Sequence, residues 1–467
     1  MSIFCDVPSL LVDRENLTTL NAALDTFKAE LAAQQISEPS LNTSKPHPTD
    51  DIAFLPTPAM FEARRTVLAC LGLIKTLVQS PYDALAANTW MNLESAGLRL
   101  VASIGLPSVL GDSEDGLSIS EIAERTGVDA LKLERVLRLL MTQGYFREPH
   151  HGYFANNRMS NIIKNDQPGY HLATYMNALF SKVSDTYPAM VNHTDLEFRK
   201  NTDPFHTAFQ LAYNTDVAYF GAGGWLTKDP QEAVKFGLAM GAVGPTSDPG
   251  VAADFSWADI CRGKDGVVDV GGGQGTLCCS LATKYPEIKH FVVQDLPETQ
   301  AAAESFIASK GLSHKVVFEA QDFFAPQQRK GKYVFVMQRV LHDWSTEDGA
   351  KMLRHIRDVL NKDSCLLIID TIIQSAVVSN TGSSFKESVS KLKCGAYEPV
   401  PPPQYLPVDF GESSRIQHQI NVALTALCNS FERTLPQLDE MVTKGGLRIK
   451  KVHATRGWAS ITEVELA

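Results

Sequence analysis

The sequence predicts an α/β fold, a doubly wound parallel sheet in the second half of the chain behind a helical half that contains a winged helix. Three observations predict it. From Val267 onward, short apolar runs alternate with helical segments, which calls for parallel strands joined by crossover helices. The first run, Val267-Val-Asp-Val-Gly-Gly-Gly-Gln-Gly-Thr276, enters a glycine-rich turn, and the next ends about twenty residues later at Asp295. Residues 117–161 follow the order helix, turn, helix, β-ribbon.

In chain order, residues 1–35 read as a helix, with Leu10, Leu17, Leu20, Leu24 and Phe27 near helical spacing. Residues 36–51 are rich in Ser, Pro, Thr and Asn and read as a linker. From Met60 to Leu110, apolar spacing predicts two long helices joined near Ser80-Pro81. Ser118 to Gly127 is a capped helix with Glu121 at the box position. Leu131 to Thr142 follows as a second helix, and strands are expected at Gly144-Tyr-Phe and Gly152-Tyr-Phe. This layout suggests DNA binding, but the leucine-rich second helix fits a protein surface better. Residues 170–243 read as helical throughout and rich in aromatics. They could form a plain core or line a pocket for a flat apolar ligand.

Strands are then expected at Val267–Val270, His290–Gln294, Val316–Glu319, Tyr333–Met337 and Cys365–Asp370, with helices at Glu298–Lys310 and Thr346–Leu360. Residues 374–412 are polar and proline-bearing, and read as an insertion on the sheet's edge. A helix over Leu435–Lys444 and a hairpin of Arg448–His453 with Ala459–Glu465 close the pattern. The corresponding domains are 1–55 (extension and linker), 56–165 (winged helix), 166–255 (helical segment) and 256–467 (sheet domain with the insertion).

A chain of 467 residues, 44% hydrophobic and 21% charged, has the composition of a soluble globular protein of two or three domains. The net charge of −10 argues against non-specific nucleic-acid binding. None of the eight cysteines forms a Cys-x-x-Cys pair, so neither a zinc site nor a disulfide framework is indicated. No secretory signal or membrane span is visible, which leaves the cytoplasm as the default.

The glycine turn carries the chemistry. Gly271, Gly273 and Gly275 allow a sharp turn and close ligand approach, and Asp295 is placed to accept hydrogen bonds from ribose hydroxyls. A dinucleotide fingerprint needs a glycine where Thr276 stands. Asp269, two residues before the first glycine, would repel a pyrophosphate but suits a cationic ligand. S-adenosylmethionine carries an amine and a sulfonium and no phosphate. The competing reading is a glycine turn with no ligand, which Asp295 disfavours.

A second motif, Val334-Phe-Val-Met-Gln-Arg-Val-Leu-His-Asp-Trp344, ends in Leu341-His342-Asp343-Trp344. With the glycine turn, Gln294-Asp295-Leu296-Pro297, Gln321-Asp322-Phe323-Phe324 and Phe431-Glu432-Arg433-Thr434, the chain resembles the S-adenosylmethionine-dependent O-methyltransferases of the plant caffeate type and their fungal secondary-metabolite relatives. The resemblance spans roughly residues 60–467, and residues 207–216 look particularly like the fungal branch. It implies a Rossmann-like class I methyltransferase domain and an N-terminal winged-helix dimerisation domain, hence a homodimer. It implies that Gly271 and its neighbours, Asp269, Gly273 and Gly275 among them, hold the cofactor's methionine part, and that Leu296 and Gln338 also belong to the cofactor site. Asp295 would bind the ribose, and Asp322 and Phe323 would bracket the adenine. His342 matches the family's general base, and Asp370 and Glu432 match the acidic residues that orient it. Two departures stand out. Asp370 is one methylene shorter than the usual Glu, and Gln338 replaces a basic residue near the cofactor.

The expected reaction is methyl transfer to a phenolic or enolic hydroxyl of a small metabolite, with no metal. Some fungal proteins of this fold catalyse dehydration or pericyclic reactions instead and keep the cofactor without using its methyl. A non-enzymatic regulator or scaffold is the third reading, against which Asp295, His342 and the acidic charge count.

Overall fold

A computed structural model describes residues 9–244, 248–374 and 397–467. The start of the helix expected over 1–35 and most of the insertion expected over 374–412 lie outside the described residues. The described chain forms two compact units, one from Ser9–Lys182 and Lys235–Pro245, the other from Val183–Val234 and Thr246–Ala467.

In the first unit, α1 (Ser9–Ala33) packs along α2 (Pro58–Val78), and α3 (Pro81–Ser103) follows. Both α2 and α3 start with proline at the first helical position, where no backbone N–H is needed. The Thr57 hydroxyl caps α2 by accepting the Met60 N–H at 3.1 Å. Next come β1 (Leu117–Ser118), α4 (Ile119–Thr126), α5 (Ala130–Met141), β2 (Arg147–His150) and β3 (Tyr153–Ala155), with the strands in the order β1-β3-β2. The Ser118–Glu121 capping box starts α4, and Gly127 at φ +70° ends it. Leu133, Leu137 and Leu140 of α5 enter a core with Val101, Ile122 and Phe154, so these three leucines are spent on packing. The ribbon corrects the expectation on two points. Its first long strand begins at Arg147 because Gly144 (φ 82°) and Phe146 (φ 63°) turn the chain first. The two-residue strand β1 also pairs with β3.

The second unit holds a seven-stranded sheet. Its strands are β4 (Gly266–Val270), β5 (Phe291–Asp295), β6 (Val316–Ala320), β7 (Tyr333–Gln338), β8 (Cys365–Thr371), β9 (Leu447–Ala454) and β10 (Ala459–Leu466). The order is β6-β5-β4-β7-β8-β10-β9, parallel from β6 to β8 and antiparallel at β10 and β9. The helices α6 (Thr276–Lys284), α7 (Gln300–Ser309) and α8 (Thr346–Arg357) cross between strands, while α9 (Arg415–Cys428) and α10 (Leu435–Lys444) follow β8. Side chains alternate between the two faces. Val267, Val293, Val336, Leu367 and Ile369 pack with Leu277, Leu281 and Trp257 on one side. Val268, Val292, Phe335, Met337 and Ile368 pack with Leu353, Ile356 and Met441 on the other. Covering both faces is what makes these strands nearly continuous apolar runs.

Residues 170–243, expected to be helical throughout, are not. Between Asn201 and Gly224 the chain has one helix, Ala208–Tyr213, which ends at Asn214 in the left-handed conformation (φ 48°) before glycine-rich turns. Phe209 and Tyr219 are fully buried; Phe209 stacks on Tyr213 and lies edge-on to Tyr219 and Trp225. Phe209 and Tyr219 are core.

Candidate active site

The sheet order reverses at β4, whose followers run to β5 and β6 on one side while β7 and β8 lie on the other. Ligands of open α/β sheets bind at the carboxyl edge of such a switch point. Gly271 leaves β4 at φ +76°, and a Cβ there would sit 2.7 Å from Val340 Cγ2, so the turn and the chain after β7 touch only because it is glycine. Gly273 (φ +55°) faces open space. Its N–H donates to Asp295 Oδ2 at 2.8 Å, and the Leu296 N–H donates to Asp295 Oδ1 at 2.7 Å.

Asp269 is tucked under this turn, with Oδ2 only 2.8 Å from where a Gly272 Cβ would lie. Burial, then the charge of Asp295, push its carboxyl up to about 7. Burial also raises Asp295, against the hydrogen bonds that Leu296 and Gly273 donate to it. Two crowded carboxyls beside open space favour a positive ligand and disfavour a phosphate. The residues therefore fit a cationic nucleoside.

After β6, the Asp322 carboxylate accepts the Phe324 N–H at 2.8 Å, which shapes the turn. The Phe323 ring lies edge-on to Trp344, 5.8 Å between centroids, and 3.6 Å from the Gly271 Cβ position. Gln338, at the end of β7, donates through Nε2 to Asp248 Oδ1 at 2.8 Å, and Arg339 donates to the same oxygen at 2.7 Å. Arg339 is in the left-handed region at φ 54°, and its N–H is held by Asp370 Oδ1 at 3.0 Å.

His342 sits in a single 3₁₀ turn, Leu341–Asp343. Its Nδ1 lies 2.9 Å from Glu432 Oε1, and its Nε2 lies 3.7 Å from Asp343 Oδ1, beyond hydrogen-bond reach. Burial pulls the imidazolium pKa down, but the carboxylates of Glu432, Asp343 and Asp370 outweigh it and push it up to about 10. The same burial raises Asp370 to about 7 and Asp343 to about 6, against the pull of His342. These groups titrate as a set. Of the two acidic residues expected to orient the imidazole, Glu432 bonds to it directly. Asp370 acts on it through charge, with one of its oxygens accepting the Arg339 N–H.

Sequence reasoning passed over Arg433. Its two terminal nitrogens donate to the carbonyls of Leu341 (2.7 Å) and Trp344 (2.6 Å), on either side of His342. The Ser430 hydroxyl adds a 2.7 Å bond to the Trp344 carbonyl. The signal was the cation inside Phe431-Glu432-Arg433-Thr434. Asp248 had none, standing among small residues and prolines in the sequence and opening the short helix Asp248–Ala253.

A doubly wound sheet with an acidic glycine turn and a carboxylate-held imidazole at one switch point is a Rossmann-like methyltransferase domain. The chain belongs to the S-adenosylmethionine-dependent O-methyltransferases: the family's O-methyltransferase domain matches residues 219–391 and its O-methyltransferase dimerisation domain matches residues 91–165. 4-O-methyltransferase 1 of Phanerochaete chrysosporium is 28% identical over 95% of this chain and 96% of its own. O-methyltransferase cicE of Emericella nidulans is 28% identical over 97% and 85%. Among solved structures, the mitomycin 7-O-methyltransferase MmcR superposes with a TM-score of 0.62 at 23% identity, covering 83% of this chain and 97% of its own. LepI in complex with SAM gives 0.69 at 19% identity over 87% and 94%. At these identities the structures share the fold.

Proposed function

We propose that this protein moves the methyl group of S-adenosylmethionine to a phenolic or enolic hydroxyl of a small secondary metabolite, with His342 as general base. The observation that carries this reading is the 2.9 Å contact between His342 Nδ1 and Glu432 Oε1 at the edge that also bears the glycine turn. Gly271, Gly273 and Gly275, with Asp269 and Leu296, border the methionine part of the cofactor. Asp295 takes the ribose hydroxyls, Asp322 and Phe323 the adenine, and Gln338 closes the strand end. When bound, the cofactor supplies an electrophilic methyl on a sulfonium leaving group.

Glu432 fixes the Nδ1–H tautomer and leaves Nε2 to take the hydroxyl proton. A phenol with pKa ~10 and an imidazolium near 10 share a proton at little cost, whichever holds it. At neutral pH the resting imidazole is protonated, and a positive charge at the turn pulls its pKa down toward the working range. Asp269, Asp295 and the histidine cluster thus oppose each other across one edge. We further infer a homodimer, supported by the dimerisation-domain match, and a cytoplasmic location, in keeping with the unpaired cysteines among the described residues.

The raised imidazolium also favours a second reading, in which His342 donates a proton and the enzyme catalyses dehydration or a pericyclic step without methyl transfer. Trideuteromethyl-labelled cofactor separates the two. Methyl transfer predicts labelled product from a phenol panel, and a loss of at least ~10²-fold in His342→Ala with cofactor binding retained. Turnover without label in the product would discard methyl transfer. Near wild-type transfer by the alanine variant would discard the base.

A further inference from the structure

Gln294 stands in β5 next to Asp295, and its side chain is fully buried alongside Phe291, Val292 and Val293 of the same strand. An amide in such a place is costly unless its polar atoms are paired. Its partner is Gln327, also buried, from the stretch after β6. Gln294 Nε2 donates to Gln327 Oε1 at 3.0 Å, and Gln327 Nε2 donates back to Gln294 Oε1 at 2.8 Å. The Arg329 N–H donates to the same Gln327 Oε1 at 3.0 Å, which fixes the orientation of both amides. The main chain of Gln294 is engaged as well. Its carbonyl accepts the N–H groups of Gly271 at 2.8 Å and Gly272 at 3.1 Å. One residue therefore grips the glycine turn with its carbonyl and the stretch after β6 with its side chain.

The stretch after β6 is also braced within itself. Gln321 Nε2 donates to the Asp322 carbonyl at 2.8 Å, and the Ala325 N–H donates to the same carbonyl at 3.0 Å. The Gln321 N–H is tied to β5, donating to the Asp295 carbonyl at 2.9 Å. Anchored at Gln321 and again at Gln327, the turn leaves Asp322 and Phe323 little freedom. We propose that Gln294 and Gln327 are positioning residues for the nucleoside, an inference that rests on the cofactor reading above. Their amide pair fixes Asp322 and Phe323, the adenine residues of that reading, relative to the glycine turn and Asp295. Both glutamines act through the turn and not by contact with the ligand. Two parallel bonds set a distance and an angle together, which an apolar contact of the same size does not.

The test is calorimetry of the full chain with S-adenosylhomocysteine, read beside urea unfolding. Gln327→Met keeps the length of the side chain and leaves the Gln294 amide buried and unpaired, so affinity and stability both fall. Gln294→Met combined with Gln327→Met removes both partners, and an apolar pair of the same shape recovers most of the stability. Affinity does not recover with it and stays about tenfold or more below wild type, because the turn is packed but no longer aligned. In methyl-transfer assays the loss falls on KM for S-adenosylmethionine, with kcat little changed, since neither glutamine bears on the reacting atoms. Wild-type affinity in both folded variants overturns the proposal and leaves the cofactor reading standing. A double variant whose affinity returns along with its stability also overturns it, the pair then serving packing alone. Wild-type protein that binds no S-adenosylhomocysteine overturns the cofactor reading, and the positioning role falls with it.

Discussion

Asp269 is 2% exposed and its carboxyl titrates near neutrality, so its charge depends on what the glycine turn holds. A bound sulfonium stabilises the ionised form, so affinity for the cation rises as pH climbs through about 7. S-adenosylhomocysteine shares the amine and lacks the sulfonium charge, which makes it the reference. Calorimetry between about pH 5.5 and 8.5 should show preference shifting toward S-adenosylmethionine by roughly threefold or more. Asp269→Asn should abolish the shift, and an equal shift in that variant would remove Asp269 from the site. Asp370 shows why side-chain length matters at this scale. One methylene shorter than the usual residue, it holds the strained Arg339 backbone and leaves the direct imidazole bond to Glu432. The sequence flagged the shorter side chain, but its alternative partner is a backbone group with no residue signature.

At the scale of elements, the strands were legible because burial on both faces demands unbroken apolar runs. Leu367 is fully buried in β8, and Leu367→Ala should cost about 2–5 kcal/mol in urea unfolding. The half-exposed Leu466, at the end of β10, should cost under ~1 kcal/mol when truncated. Equal losses would mean that β8 is not the packing centre the sheet makes it. Helix α9 was legible but passed over: Ile416, Ile420, Leu424 and Leu427 keep helical spacing, although its buried residues, Leu424, Ala426, Leu427 and Cys428, are crowded at its carboxyl end. The wing strand slipped three residues because Phe146 takes a left-handed conformation, which a bulky side chain seldom signals.

For the whole molecule, the change from helical spacing before residue 243 to strand–helix alternation after 266 marks where the sheet begins, but the compact units divide elsewhere, Val183–Val234 grouping with the sheet. A partner surface is implied by the family resemblance alone. In the structure, Tyr82, Leu85, Trp90 and Leu93 share one face of α3 and are each more than half exposed, an apolar face of the kind that marks an interaction site. In the proposed homodimer a second copy covers it. Trp90→Glu with Leu93→Glu should therefore sediment at about half the wild-type mass while retaining its fold by circular dichroism. A wild-type monomer, or a variant that stays dimeric, would place the interface elsewhere.

Strand β8 has one neighbour, β7, made before it and another, β10, made about ninety residues after it. On a ribosome, its apolar run Leu366–Ile369 must wait with one edge bare until residues 459–464 emerge, and a bare apolar edge invites pairing with other chains. Glu432 arrives just before that closure. The histidine therefore acquires its partner only shortly before the sheet is sealed, and a nascent chain halted between the two is the form most in need of a chaperone.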